Sequence, residues 1–378
     1  MESFIAYNPT SLHFGKNVLK DIGKTVAEYG KRVLLVYGRQ SIKQNGLYNM
    51  VTENLKSNGC TIFEYKGIKS NPIIEDVDAA AEVGRKNRVD VILAVGGGSV
   101  IDSAKLIAIT IPHEGNAWDF FIKKAKPVSA IPVIAILTLA ATGSEMNPFA
   151  VVSNHSAKVK GSYTSPLMFP KHSFLDPQVT CSVPYNYTAY GIADLIAHCL
   201  EAYFGKGEAT LADRFVFAII KEALDNGPAL LKELNNYDLR ARIMFAATMA
   251  LNGLTMQGRA SGEWGVHSIG HILSLLYDVP HGASLTIVYP AWLKLMKSKL
   301  ADRISFLGEN IFNTTDVDLT IERLESFFKL IDCPVRLTEM VENPNTDEIV
   351  NVMILNKAAT FVHKLDHDDY KEIVQLMY

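Results

Sequence analysis

The amino-acid sequence predicts an α/β N-terminal domain with a Rossmann-like parallel sheet, followed by an all-α domain. The chain has 378 residues, which is more than one compact core usually holds. Its first half alternates short apolar runs with helical spacing, as is typical of parallel strands covered on both faces by helices. Its second half carries helical spacing alone. We therefore expect two domains, at residues 1–180 and 181–378.

The elements of the first domain alternate along the chain. Val, Ile and Leu dominate the strand segments, and glycines or polar turns separate them from the helices. The predicted strands cover residues 31–38, 60–67, 89–99 and 130–137. The predicted helices cover residues 47–59, 74–87 and 100–110. Open sheets of this kind bind ligands at the carboxyl ends of their strands.

The second domain is predicted to be helical throughout. Apolar residues recur there at spacings of three and four, which places them on one face of each helix. The predicted helices cover residues 187–204, 211–227, 239–253, 265–277 and 319–334.

Composition excludes several classes of protein. Hydrophobic residues make up 48% of the chain and charged residues 20%, which is the balance of a globular protein. A net charge of −3 and the lack of basic runs argue against a nucleic-acid partner. The longest apolar run, residues 130–141, is too short to cross a membrane, and the N-terminus lacks a signal-peptide pattern. The four cysteines show no paired spacing, which favours a reducing cytoplasm.

A glycine-rich turn between a predicted strand and a predicted helix is the first candidate site. Gly96, Gly97, Gly98 and Ser99 stand where backbone N–H groups at a helix start attract anions, and glycine lets a phosphate approach closely. The pattern is neither GxGxxG nor a Walker loop, and a purely structural turn is the alternative interpretation.

Two further turns follow predicted strands. The turn that begins at Gly38 carries Arg39, Ser41 and Lys43 and no acidic residue. An acid there would bind a ribose 2′-hydroxyl, whereas a basic residue accommodates a 2′-phosphate, so NADP(H) is favoured over NAD(H). A solvated basic turn explains Arg39 almost equally well. The later loop, residues 137–147, offers small hydroxyl groups, which suit many tight loops.

A carboxylate and several imidazoles interrupt the helices of the second half. Asp194 and His198 are four residues apart and share a helix face, and His267 and His281 come later in the chain. One carboxylate and three imidazoles are suitable ligands for a borderline divalent metal. Taken singly, each has a simpler explanation, such as a surface pair, a core histidine or a turn residue. His271 lies one turn after His267 and could likewise be a core histidine.

The chain resembles the iron-containing (group III) alcohol dehydrogenase family over essentially its whole length. Within that family it looks most similar to the butanol dehydrogenases and broad-specificity NADPH-dependent aldehyde reductases. The resemblance rests on FGK (14–16), YGRQSIKQNGLY (37–48), GGGSVIDSAK (96–105), TLAATGSEMN (138–147), FLDP (174–177), GIADLIAHCLEAY (191–203) and HSIGHILSLLYDVPHG (267–282).

The resemblance implies a role for particular residues. The metal ligands fall on Asp194, His198, His267 and His281. His271 matches a histidine near the nicotinamide that is usually not a ligand, and it is the candidate proton relay. The implied cofactor contacts are Gly38, Ser41, Asn71, Gly97, Gly98, Ser99, Thr138, Thr142 and Lys160. Arg39 and Asp102 complete the predicted cofactor-binding residues. A homodimer is also implied.

Two positions depart from the wider family pattern. The general segment TTAGTGSE has a threonine and a glycine where this chain has Leu139 and Ala141. That change fits the butanol-type branch and weakens any transfer from the diol-oxidising branches. Arg39 stands where relatives that use NAD strictly tend to carry an acid nearby.

The predicted function is a metal-dependent alcohol dehydrogenase or aldehyde reductase. It transfers hydride between NAD(P)H and small primary aldehydes or alcohols, such as butanal and butanol, with one divalent ion, Fe(II) or Zn(II). One alternative is a metal- and NAD-dependent lyase like dehydroquinate synthase; another is a glycerol or diol dehydrogenase of the same superfamily. A metal-dependent hydrolase would not need the glycine-rich turn, and a non-catalytic nucleotide-binding protein would not need a metal.

Overall fold

The computed structural model of this chain describes residues 1–358 and 361–378. Its strands are β1 Ser11–Phe14, β2 Arg32–Tyr37, β3 Thr61–Lys66, β4 Val91–Gly96, β5 Val133–Leu137, β6 Phe149–Asn154, β7 Val159–Thr164 and β8 His172–Leu175. Its first six helices are α1 Ile22–Ala27, α2 Ser41–Gln44, α3 Leu47–Ser57, α4 Ile74–Lys86, α5 Gly98–Thr110 and α6 Trp118–Phe121. The later helices are α7 Tyr185–Tyr203, α8 Thr210–Lys232, α9 Tyr237–Ala250, α10 Gly265–Tyr277, α11 His281–Met296, α12 Ala301–Phe312, α13 Val317–Leu330, α14 Thr346–Leu355 and α15 His367–Leu376.

Two compact units share the chain. An α/β unit consists of Tyr7–Val183 and Leu234–Met244, and a helical unit consists of Met1–Ala6, Pro184–Glu233 and Phe245–Tyr378. The predicted fold class, a parallel α/β sheet followed by a helical domain, is confirmed. The division at residue 180 stays a prediction.

The α/β unit is built on a six-stranded parallel sheet with the order β1-β8-β5-β4-β2-β3. Val33 and Leu35 of β2 pack into the core on one face, and Leu34 and Val36 pack into the core on the other. Burial on both faces explains why this strand is apolar at every position after Arg32. The chain leaves β2 for β3 on one side and then returns to β4 on the other. The sheet therefore has its switch point between β2 and β4, where open sheets of this type bind ligands.

An antiparallel hairpin, β6–β7, stands apart from the main sheet and is missed by the sequence analysis. Both strands mix exposed and buried positions without the continuous apolar run that marks β2 or β4. A ladder with a partly exposed face leaves a weaker hydrophobic pattern than a strand buried on both faces.

The helical unit is organised around α11. This helix is buried along most of its length and packs against α7, α10, α13 and α15. Pro280 precedes its first residue, His281, and proline suits a helix start because its missing N–H has no partner there in any case. No described helix combines the length and the apolar character needed to cross a membrane.

Candidate metal centre and nucleotide cradle

Helix α7 presents three ionisable side chains on one buried face. Asp194, His198 and Glu201 follow one another at spacings of four and three, and their exposed fractions are 2%, 3% and 0%. These spacings place all three on the same side of a helix. Ionisable groups this deeply buried need partners that balance their charge.

Two other helices bring imidazoles to the same place. His267 lies in the first turn of α10, and His281 is the first residue of α11. The Nε2 atoms of His198, His267 and His281 lie 3.5, 3.7 and 3.6 Å from one oxygen, Oδ1 of Asp194. The structure therefore brings together all four residues that the sequence analysis proposed as ligands.

The four residues are not equivalent. The ligand atoms of Asp194, His267 and His281 lie within 4.8 Å of one another and form the compact core of the cluster. His198 lies outside that core, although its Nε2 is close to the Asp194 carboxylate and its ring stacks on His267 at a centroid distance of 4.8 Å. We define these four residues as the metal centre, with His198 at its edge.

The ionisable groups of the metal centre shift one another's pKa values. Burial disfavours the charged form of Asp194, but the surrounding histidines hold the pKa of this carboxyl well below its ordinary value. Burial lowers the pKa of His198 to about 4, which keeps that ring in the neutral form that ligates metals. Burial also opposes charge on His267, but Asp194 and Glu201 outweigh it and raise the pKa of His267 to about 9.

Unsatisfied atoms show what the metal centre lacks. Oδ1 of Asp194 and Nε2 of His267 are buried, and neither has a hydrogen-bond partner among the residues that the structure describes. An unpaired buried polar atom costs free energy, and one cation could satisfy both atoms. Imidazole nitrogens with one carboxylate oxygen suit Zn(II) and Fe(II). The residues present therefore fit a divalent metal.

Glu201 is a functional candidate that the sequence analysis missed. Its Oε1 accepts hydrogen bonds from Nδ1 and from the backbone N–H of His267, each at 2.9 Å. The signal was available in the segment GIADLIAHCLEAY, where Glu201 continues the helix face of Asp194 and His198. Only Asp194 and His198 of that face are among the predicted site residues.

His271 lies beside the metal centre and outside its core. Its ring centroid is 5.5 Å from that of His281 and 6.5 Å from that of His267. It is partly exposed, one helical turn beyond His267 on α10. A position at the edge of a metal cluster suits a group that exchanges protons with a bound substrate.

In the α/β unit, the glycine-rich turn joins β4 to α5. Gly97 precedes the helix in an extended conformation, and Gly98 is its first residue. A Cβ atom at Gly98 would lie 2.3 Å from Oγ1 of Thr142, and one at Gly97 would lie 3.2 Å from Cβ of Leu139. The loop after β5 therefore packs directly on this turn. The two segments form what we call the nucleotide cradle, residues 96–99 and 138–144.

Two charged residues of α5 hold the loop of the nucleotide cradle in place. Asp102, predicted as a cofactor contact, accepts hydrogen bonds from Oγ of Ser144 and the backbone N–H of Val151. Lys105 is fully buried, and its Nζ donates to Oγ of Ser144 at 2.8 Å and to the Phe149 carbonyl at 2.8 Å. Burial lowers the pKa of Lys105 to about 8 against the opposing charge of Asp102. Lys105 is not among the predicted site residues, because buried lysines are rare.

The remaining predicted cofactor contacts lie on several elements of the α/β unit. Gly38 follows β2, and Arg39 and Ser41 are exposed just beyond it. Ser99 Oγ donates to the Ser70 carbonyl beside the turn. The buried pair of Lys160 and Asn71 is joined by a 2.8 Å hydrogen bond from Nζ to Oδ1. Thr138 follows β5, and its N–H donates to the Gly96 carbonyl at 3.0 Å.

A carboxylate near the end of β2 is already engaged by two phenols. Glu64 of β3 accepts hydrogen bonds from the hydroxyls of Tyr37 and Tyr48, each at 2.6 Å. Lys43 lies over both rings, with Nζ 5.5 Å from the Tyr37 centroid and 4.6 Å from the Tyr48 centroid. The acidic and basic groups of this corner therefore form one local network, and Arg39 remains exposed beside it.

Comparison with known families finds two adjoining matches. The family model for iron-containing alcohol dehydrogenase matches residues 9–177. The model for the C-terminal part of the Fe-containing alcohol dehydrogenase family matches residues 188–377. Together they cover both the nucleotide cradle and the metal centre.

Similar proteins agree with these matches. The chain is 42% identical to the probable NADH-dependent butanol dehydrogenase 2 of Bacillus subtilis, over 90% of this chain and 89% of that protein. It is 35% identical to the NADPH-dependent aldehyde reductase YqhD of Escherichia coli, over 90% and 89%. The crystal structure of NADH-dependent butanol dehydrogenase A from Thermotoga maritima matches with a TM-score of 0.96 at 36% identity, over 100% of this chain and 99% of that one.

Proposed function

The chain belongs to the iron-containing alcohol dehydrogenase family, and we propose that it reduces small primary aldehydes such as butanal and oxidises the matching alcohols. The predicted family and enzyme class, an NAD(P)-dependent alcohol dehydrogenase or aldehyde reductase, are confirmed by these matches. The observation that carries the choice of reaction is the convergence of three imidazole nitrogens on one Asp194 oxygen.

Asp194, His198, His267 and His281 hold the metal in this proposal, and Fe(II) and Zn(II) are the candidate ions. When bound, such an ion supplies a Lewis acid that polarises a carbonyl and lowers the pKa of an alcohol. The carboxylate of Asp194 balances part of the charge. A metal competes with a proton for Nε2 of His267, so we expect metal binding to release that proton.

The nucleotide cradle binds the pyrophosphate of the cofactor in this proposal. Gly97, Gly98 and Ser99 offer backbone N–H groups at the start of α5, and Thr138 and Thr142 add hydroxyls on the facing loop. Asp102 is the last residue of this proposed cofactor-binding set, and it orders the loop through its hydrogen bond with Ser144. Asn71 and Lys160 act as a pair in this proposal, joined by their own hydrogen bond.

We propose that NADP(H) is preferred over NAD(H). The support is Arg39, exposed beyond β2 beside Gly38 and Ser41, where a 2′-phosphate would meet a positive charge. The nearby carboxylate, Glu64, is already hydrogen-bonded to two phenols. The names of the relatives include both cofactors, with NADH for the Bacillus subtilis protein and NADPH for the Escherichia coli protein.

His271 is the proposed proton relay. In aldehyde reduction, the substrate oxygen must gain a proton after hydride arrives at its carbon. The imidazole of His271 can donate that proton from a ring nitrogen and recover it from water, which its partly exposed position allows. We further propose that the protein is cytoplasmic and forms a homodimer. Sedimentation equilibrium of the purified protein would test the dimer.

The first experiment follows reduced-nicotinamide absorbance with butanal. The protein is purified without chelator, assayed with NADPH and with NADH, and assayed again after chelation and after adding back Fe(II) or Zn(II). Metal-dependent oxidation that favours NADPH is the expected result. Equal or better use of NADH would reject the cofactor preference and leave the enzyme class standing. The proposed substrate would be rejected if no metal gave aldehyde-dependent oxidation while a diol or a phosphorylated acid was turned over.

A further inference from the structure

The side chain of Glu201 accepts both of its described hydrogen bonds from one residue, His267. Its Oε1 accepts from the ring Nδ1 and from the backbone N–H of His267, at 2.9 Å each. Glu201 is completely buried and lies on the same face of α7 as Asp194. Burying a carboxylate costs free energy, and for Glu201 the described hydrogen bonds that offset this cost come from His267 alone.

The geometry determines which nitrogen of His267 is available. When a carboxylate accepts a hydrogen bond from Nδ1–H, the lone pair of the neutral ring lies on Nε2. Nε2 is the atom that lies 3.7 Å from Oδ1 of Asp194 and lacks a hydrogen-bond partner within the described part of the chain. Glu201 therefore aims the free nitrogen of His267 at the metal centre.

The backbone hydrogen bond adds a second constraint. Helix α10 begins after Trp264, which has a left-handed φ of 58° and provides no side-chain cap. The Glu201 carboxylate accepts a hydrogen bond from the backbone N–H of His267 in this first turn, where N–H groups lack helical partners. One oxygen thus holds both the ring and the backbone of the same residue. By contrast, Nδ1 of His198 has no hydrogen-bond partner among the residues described.

We propose that Glu201 is a positioning residue that orients His267 for metal binding and so sets the metal affinity of the protein. This inference rests on the proposed function, because it requires that the metal centre bind a divalent ion. Glu201 touches neither substrate nor cofactor in this proposal and acts only through His267.

Glu263 offers a matched control in the same unit. It is also buried, with an exposed fraction of 1%, and its backbone N–H donates to the Glu201 carbonyl at 2.9 Å. Its carboxylate, however, accepts from the backbone N–H groups of Val362 and His363, at 3.1 Å each. Changing Glu263 therefore alters a buried carboxyl beside Glu201 while leaving the Glu201–His267 contacts in place.

The test measures metal affinity directly. Metal-free wild type, Glu201→Ala, Glu201→Gln and Glu263→Gln are titrated with Co²⁺, followed by visible absorbance, and with Zn²⁺ against a chromophoric chelator. We expect Glu201→Ala to bind about 10- to 100-fold more weakly, as loss of an outer-shell partner usually causes. Glu201→Gln keeps an acceptor for Nδ1–H and should lose less, and Glu263→Gln should match wild type. Wild-type affinity in Glu201→Ala would overturn the proposal.

A second readout separates positioning from folding. Histidine-selective ¹⁵N labelling should show a hydrogen-bonded Nδ1–H resonance that disappears in His267→Gln. That resonance should move in Glu201→Gln and stay in place in Glu263→Gln. An unchanged resonance in Glu201→Gln would overturn the proposal even if Glu201→Ala fails to fold. If wild type itself binds neither Co²⁺ nor Zn²⁺, the metal centre fails first and the role of Glu201 fails with it.

Discussion

The metal centre and the nucleotide cradle are built from opposite materials. The metal centre gathers ionisable side chains from α7, α10 and α11, and their charges define it. The nucleotide cradle is defined by the side chains that Gly97 and Gly98 lack, and the groups that we propose bind the cofactor there are largely backbone N–H groups. The metal centre depends on the groups that its side chains contribute. The nucleotide cradle depends on the space that its glycines leave open.

This difference determines how each site should fail. The metal centre should be sensitive to the loss of a charge or a nitrogen, because each remaining buried group then loses a partner. The nucleotide cradle should be sensitive to the gain of a single methyl group, because its loops already touch. Substitutions of the two kinds should therefore affect metal and cofactor independently.

The largest effect is expected for Asp194→Asn. This change removes the one carboxylate that three imidazoles surround, so metal affinity should fall by more than the roughly 10- to 100-fold that an outer-shell change causes. Metal analysis of protein purified without chelator should show little bound ion, and aldehyde reduction should fall to background. Asp302→Asn, the same change at an exposed position of α12, should keep full metal content. Full occupancy in Asp194→Asn would remove Asp194 from the metal centre.

His271→Ala tests where the metal centre ends. Because His271 is proposed as the proton relay and not as a ligand, metal content should stay at the wild-type value. Turnover should fall by about 100-fold or more, the range typical of a lost general acid or base. His281→Ala is the contrasting variant, since it should lose the metal as well. Loss of metal in His271→Ala would make His271 a ligand and end its assignment as the proton relay.

Parts of the fold follow from the sequence because burial there has a simple geometry. Strand β2 is buried on both faces, so an unbroken apolar run identifies it, and α7 shows apolar residues at helical spacing. The β6–β7 hairpin is half-exposed and lacks such a run. Helix α11 was missed because it is almost wholly buried, and a helix that is apolar all round has no amphipathic pattern.

The candidate site divides in the same way. Asp194 and His198 can be found by their spacing, and Gly97 and Gly98 by their place between a strand and a helix. Glu201 and Lys105 act through residues distant in sequence, His267 and Phe149, so only the folded chain reveals their partners. The close approach of His267 and His281 to Asp194 likewise depends on tertiary structure, since the three residues lie on three separate helices.

Gly98→Ala tests the nucleotide cradle by adding one methyl group. Its Cβ would lie 2.3 Å from Oγ1 of Thr142, so the loop after β5 must shift. We expect the KM for the nicotinamide cofactor to rise about 10-fold and stability to fall by about 1–3 kcal/mol, while metal content is unchanged. Gly161→Ala is the control in the same unit, because its added Cβ makes an ordinary contact of 3.5 Å with Phe121. A normal cofactor KM in Gly98→Ala would show that the turn does not approach the cofactor.

Glu263→Gln should give the smallest effect and should distinguish the two buried carboxyls near the metal centre. Burial and the charge of Glu201 raise the pKa of Glu263 to about 8, against the backbone N–H groups that lower it. The folded protein therefore holds a proton that the unfolded chain releases near its ordinary pKa of 4.5. Wild-type stability should fall as pH rises between these two values, since folding then requires proton uptake.

The glutamine variant removes that titration while keeping an acceptor for the N–H groups of Val362 and His363. Thermal melts of metal-free protein should coincide near pH 4.5, and at pH 9 the variant should be more stable by about 1–3 kcal/mol. Equal melting temperatures at both pH values would mean that Glu263 ionises normally in the folded protein. Glu263 would then anchor the segment at residues 362–363, whereas Glu201 holds the imidazole of His267.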